Sequence, residues 1–133
     1  MNAVVSNPAR APVLLIEDEE GVMIFVRTTL ESRGYLVVTA RTGVEALRLL
    51  QEGNFLGVVS DMSTPGGVSG ADVYTWITKN RPQLASHVVF ITGDIANEQT
   101  VAILDKTGAP CVEKPFRVQH FISVVEQTMG KPQ

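Results

Sequence analysis

The sequence predicts an α/β fold, a doubly wound five-stranded parallel sheet with five helices. Three observations carry this. Five short β-rich runs are each followed by a segment with helical periodicity, the pattern of successive βα units. The runs LLI, LVV, VV and VVFI are almost continuously apolar, as strands buried on both faces must be. The chain has 133 residues, 44% hydrophobic and 19% charged, the balance of one globular domain with its own core.

The first run is PVLLIED, ending in acids. Apolar positions at Val22, Phe25, Val26, Thr29 and Leu30 then follow a helical spacing, which Gly34 stops. YLVVTA is the second run; in TGVEALRLLQEG after it, Val44, Leu47 and Leu50 share one face and Gly53 ends the helix. FLGVVSD is the third. The loop MSTPGGVSG leads into GADVYTWITKNRP, with Val73, Trp76 and Ile77 on one side and Pro82 closing the helix. HVVFITGD is the fourth run, followed by a polar helix over 97–107. PCVEKP is the fifth, and Val118, Phe121, Ile122, Val125 and Met129 mark an amphipathic last helix that Phe116 anchors in the core. Residues 1–10 read as a flexible N-terminus, 11–129 as the domain and 130–133 as a C-terminal tail.

Composition excludes several classes. A formal net charge of −3 and no basic cluster argue against a nucleic-acid partner. One cysteine permits no intramolecular disulfide and fits a reducing, cytoplasmic setting. The N-terminus lacks the charged and apolar regions of a signal peptide, and no apolar run approaches the roughly 20 residues of a membrane span.

Ligands of open α/β sheets bind at the carboxyl ends of the strands. There the first run places Glu17 and Asp18, the third Asp61, the fourth Thr92 and Gly93, and the fifth Lys114 and Pro115. Two carboxylates about 4 Å apart repel by roughly 4 kcal/mol at an effective dielectric near 20. One lysine does not offset three acids, whereas a hard divalent cation with oxygen ligands does. Mg²⁺ takes one or two carboxylates, keeps water and binds phosphoryl oxygens. Taken singly, EDEE reads as a helix N-terminus and Asp61 as a turn former. Their co-occurrence at successive strand ends favours a metal site that handles phosphate.

Those residues carry a resemblance. The acidic pair in LLIEDEE, the lone Asp61 in VVSDMSTPGG, Thr92 in FITGD and Lys114–Pro115 in EKPF resemble, in order and spacing, the receiver domain of two-component response regulators. The wording VVFITGD and GAPCVEKPF is similar to receivers attached to hybrid histidine kinases. The resemblance implies a flavodoxin-like strand order, 2-1-3-4-5, and a phosphorelay function. Asp61 would be the phosphoacceptor, forming an aspartyl phosphate. Glu17 (directly or through a water), Asp18, Asp61 and the backbone carbonyl of Met62 would hold Mg²⁺ or Mn²⁺. Lys114, Thr92 and Gly93 would bind the phosphoryl group and start the switch, with Pro115 structural. The donor would be a histidine kinase or histidine phosphotransfer domain. A downstream protein, or a second copy in a homodimer, would dock on the fourth helix, fifth strand and fifth helix, roughly 97–128. Neither nucleic acid nor membrane insertion is expected, nor enzymatic turnover beyond self-phosphorylation and autodephosphorylation.

Departures from the family pattern are informative. Glu17 stands where Asp is common, and Gly70 comes about one residue late, which implies a longer loop with Gly66 and Gly67 absorbing the insertion. Cys111 occupies a switch position usually aromatic, so no ring can swing there; an unpaired strand cysteine is expected to be inert. Three other readings compete. A phosphatase with an aspartyl nucleophile normally carries a second Asp two residues on, where this chain has Ser63. A flavin protein needs a hydroxyl-rich phosphate loop where this chain has EDEEGV. A degenerate receiver would be a constitutive binding module, against which the complete residue set argues. Ser63 and Asp94 occupy positions that influence phosphoryl lifetime in receivers. His87 and His120 lie away from the expected site.

Overall fold

The computed structural model describes residues 11–94 and 96–132. The expectations for 1–10 and for Gln133 fall outside these. Chain order is β1 (Val13–Ile16), α1 (Glu20–Ser32), β2 (Val37–Ala40), α2 (Gly43–Glu52), β3 (Gly57–Asp61), α3 (Gly70–Asn80), α4 (Pro82–Ala85), β4 (Val88–Thr92), α5 (Glu98–Thr107), β5 (Cys111–Glu113) and α6 (Val118–Met129). All strands are parallel, in the order β2-β1-β3-β4-β5. The order reverses between β1 and β3, where doubly wound sheets open a crevice for ligands.

Strand alternation divides the interior into two cores. Val13, Leu15, Val59, Val89 and Ile91 face α1 and α6, packing with Met23, Phe121 and Val125. Leu14, Ile16, Val58 and Phe90 face the other way, onto Leu50 of α2 and Val73 and Ile77 of α3. Val13, Leu14, Leu15 and Ile16 are all fully buried, which is why β1 reads as an apolar run rather than an alternation. Phe116 stacks on Phe121 with centroids 4.9 Å apart, anchoring α6 as expected.

Two helix expectations need correction. Pro82 does not close α3; Arg81 caps that helix, and Pro82 opens the four-residue α4, making six helices among the described residues. Proline fits a first helical turn because its missing N–H has no partner there anyway. Val44 is 57% exposed, so the buried stripe of α2 is Gly43, Ala46 and Leu50 instead. The predicted fourth helix begins at Glu98, with Asn97 as its cap: the Asn97 side chain accepts from the N–H groups of Gln99 and Thr100.

Candidate functional site

Parallel register brings the chemically active residues to one edge of the sheet. Ile16 pairs with Ser60, Asp61 with Ile91 and Thr92 with Glu113. The next residues along each strand, Glu17–Asp18, Met62, Gly93 and Lys114, therefore lie beside one another around Asp61. Glu17, Asp18 and Asp61 each offer a carboxylate oxygen, all within 4.8 Å of one another.

Burial makes this arrangement electrostatically demanding. Glu17 is fully buried; one oxygen accepts from Lys114 Nζ at 3.2 Å and the other from the Glu19 backbone N–H at 3.1 Å. Lys114 also lies 3.8 Å from Asp61 Oδ2 and 3.8 Å from Glu19 Oε1. The Asp61 side chain keeps 13% exposure, enough to be reached from solvent. Its pKa is pushed up to about 6, first by burial and then by the Glu17 carboxylate. Lys114 and the Ser63 N–H pull the other way, and Asp18 adds a smaller upward push. A carboxylate so crowded by its own charge calls for more cation than one lysine supplies.

The loop after Asp61 folds back on itself. The Thr64 hydroxyl donates to the Val68 carbonyl, closing a turn around Pro65, Gly66 and Gly67. Gly66 and Gly67 have φ of 90° and 83°, the left-handed region that glycine adopts without strain, and a Cβ on either would meet nothing. Gly66 and Gly67 thus form a turn with open space around it. Ser69 caps α3 in a reciprocal capping box with Asp72. Facing the carboxylate is Ser63, whose N–H reaches Asp61 Oδ1 at 3.4 Å. The Met62 side chain is buried, and its carbonyl lies 3.3 Å from where a Gly70 Cβ would stand, on the α3 side.

Thr92 is buried at the end of β4, and its hydroxyl oxygen accepts from the Asp94 N–H at 3.1 Å. Asp94 in turn accepts, through Oδ1, from the Ala96 N–H. Bonds from the Asn97 N–H to the Asp94 carbonyl and from α5 amides to Asn97 Oδ1 extend this chain into the helix. Asp61, Ser63, Thr92, Asp94, Asn97 and Lys114 line an open cleft of ≈ 450 Å³.

Cys111 begins β5, opposite Phe90 and short of the cleft. It is half-buried, and burial, then the Glu113 carboxylate, pushes its pKa up to about 11. Pro115 follows Lys114 through a cis peptide bond. Two residues at the site escaped the sequence reading. Glu19 is within ion-pair range of Lys114. Ser60, a buried hydroxyl in β3, donates to the Asp61 carbonyl at 2.8 Å. Its signal was visible as the one uncharged polar residue inside the run VVSD.

Comparison with known proteins bears on the whole arrangement. A family model described as the response regulator receiver domain matches residues 13–126. The transcriptional regulatory protein KdpE of Mycobacterium tuberculosis is 33% identical over 111 residues, 84% of this chain and 47% of that protein. The sensor kinase CckA of Brucella abortus is 30% identical over 123 residues, 91% of this chain and 13% of that protein. The chain therefore spans about half the length of the first relative and a small part of the second. Among solved structures, the receiver domain of NtrX from Brucella abortus aligns with a TM-score of 0.79 at 28% identity, covering 88% of this chain and 97% of that one.

Proposed function

The chain belongs to the response regulator receiver domain family, and on that premise we propose that it is a phosphoacceptor of a two-component phosphorelay, with Asp61 as the residue phosphorylated. The observation that carries this reading is the convergence of the Glu17, Asp18 and Asp61 carboxylates at the sheet edge, beside a cleft that Asp61, Thr92 and Lys114 line. Oxygen donors from Glu17, Asp18 and Asp61 suit a hard divalent ion, Mg²⁺ or Mn²⁺, which when bound neutralises the acids and the incoming phosphoryl oxygens.

In the proposed step the Asp61 carboxylate, ionised, attacks the phosphorus of a phosphohistidine or small acyl phosphate. One O–P bond forms as the bond from phosphorus to the imidazole nitrogen or acyl oxygen breaks, and the electron pair leaves with the donor. The Lys114 ammonium sits where it can neutralise charge on the transferred group. Thr92 already accepts one bond, from Asp94, and among the described residues its own proton has no acceptor, so it can be given to a phosphoryl oxygen. A shift of Thr92 would pull on the Asp94–Ala96–Asn97 chain and so on α5. That chain is the natural output route here, since Cys111 supplies no ring to swing. The reading extends to a cytoplasmic protein taking phosphate from a histidine kinase or phosphotransfer domain and presenting α5, β5 and α6 to a protein partner. Its only turnover would be its own phosphorylation and dephosphorylation.

The test is intact-mass spectrometry after incubation with Mg²⁺ and acetyl phosphate. One phosphoryl group is expected on the wild type and none on Asp61→Asn. No mass gain with a competent donor would overturn the reading and leave a constitutive binding module in its place.

A further inference from the structure

The peptide unit that links Asp61 to Met62 is held at both ends. Its carbonyl, on Asp61, accepts from the Ser60 hydroxyl at 2.8 Å. Its N–H, on Met62, donates to the Ile91 carbonyl of β4 at 2.9 Å. Its outer side is closed by the first residue of α3. A Cβ on Gly70 would lie 2.4 Å from the Asp61 carbonyl oxygen and 2.9 Å from Ser60 Oγ, so α3 abuts the strand at a spacing that only glycine permits.

Burial in a core strand does not ask for a hydroxyl. Ser60 is 1% exposed, and its neighbours Val58 and Val59 are fully buried. A hydroxyl there must find a partner inside the protein, and this one has found the carbonyl of the phosphoacceptor itself.

We propose that Ser60 and Gly70 are positioning residues for the reaction at Asp61: between them they fix the Asp61–Met62 peptide plane and thereby the carboxylate's orientation against the loop. This rests on the reading of Asp61 as phosphoacceptor. The physical reason lies in the loop that begins beyond Met62. It contains two left-handed glycines, so the Asp61–Met62 peptide is the last unit that a bond to the sheet, from the Met62 N–H to the Ile91 carbonyl, restrains. Freedom there would change the distance from the Asp61 carboxylate to the Ser63 N–H that reaches it. Misplacement of a reacting group by about 1 Å can cost up to about 100-fold in rate.

Two measurements on the full chain test this. The first is the rate of phosphorylation by acetyl phosphate at saturating Mg²⁺. The second is hydrogen exchange at the Met62 amide, read against other β3 and β4 amides. Ser60→Ala should lower the maximal rate about three- to tenfold, the worth of one hydrogen bond, with half-saturating acetyl phosphate changed less than about twofold. Met62 exchange should quicken by a similar factor. Gly70→Ala should cost more, up to about 100-fold; should it fail to fold, Ser60→Ala decides alone. A merely structural hydroxyl would lower the melting temperature and leave the maximal rate and relative Met62 exchange unmoved, which overturns the proposal. If the wild type takes no phosphoryl group, the phosphoacceptor reading has failed. Met62 exchange then decides the positioning: faster in Ser60→Ala upholds a held peptide, and unchanged exchange overturns it.

Discussion

Lys114 stands nearer to Glu17 than to Asp61, 3.2 Å against 3.8 Å, and Glu17 is fully buried where Asp61 is not. The ammonium is thus first the counter-charge of an interior carboxylate and only second a neighbour of Asp61. Removing one partner of a buried pair leaves an uncompensated charge, which costs far more than a surface ion pair is worth. Lys114→Met should therefore destabilise the metal-free protein by about 3 kcal/mol in urea unfolding, and Mg²⁺ should recover part of the loss. A loss below about 0.5 kcal/mol, the range of surface substitutions, would show that Glu17 does not depend on Lys114.

Asp61 makes the opposite contribution in the absence of metal. Its pKa in the folded chain, about 6, lies above the ordinary carboxylate value of 3.8. The folded state thus holds this proton more tightly than the unfolded chain. The stabilisation is complete at low pH and is lost as pH rises from about 4 through 6. Asp61→Asn should accordingly raise the stability of the metal-free protein at pH 7 by an amount on the order of 1–3 kcal/mol. It should also flatten the stability curve between pH 4 and 7. Denaturant melts across that window check both. A mutant no more stable than wild type at pH 7 would mean that the carboxylates are not crowded in solution.

Divalent metal should stabilise the wild type by mass action. At 100 times the dissociation constant the gain is about 2.7 kcal/mol, read as a rise in Tm that a chelator reverses. Because the ion needs the ionised carboxylate, affinity should fall as pH drops through about 6. Asp18→Asn should weaken binding without the folding cost of a change at Glu17, since Asp18 is exposed. Equal affinity at pH 5 and pH 8 would place the ion elsewhere.

Cys111 should behave as a buried thiol. With its pKa near 11, its thiolate fraction at pH 8 is far below that of a free cysteine. Alkylation should be slower than in the unfolded chain by about one to two orders of magnitude. Cys111→Ser should leave the phosphorylation rate unchanged, because the residue does not line the cleft. Rapid labelling of the native protein would assign the thiol a reactive role instead.

Much of the site was legible in the chain. Parallel strands buried on both faces must be apolar along their length, so a charge at the end of such a run, as at Asp61 or Glu17, marks where the strand leaves the core. Four such strand ends in βα order place Glu17, Asp18, Asp61, Thr92 and Lys114 at the carboxyl edge of one parallel sheet. Helix boundaries were less legible. Pro82 stops one helix and opens another with the same fixed φ, and the choice depends on Leu84 finding a place in the core. Val44 satisfied the helical spacing but lost the buried face to Ala46, because the tilt of α2 against the sheet is a tertiary property.

By itself, then, the sequence determined the alternating βα class, the chain order of the polar strand-end groups and their excess of negative charge, since periodicity and composition are local properties that burial reads directly; the strand order came only through the family resemblance. Tertiary structure alone decided which acid Lys114 pairs with most closely, that Asp61 rather than Glu17 keeps a window to solvent, and that a serine and a glycine ten residues apart close on one peptide. Those outcomes turn on differences of an ångström or less between groups distant in sequence, and only packing sets such distances.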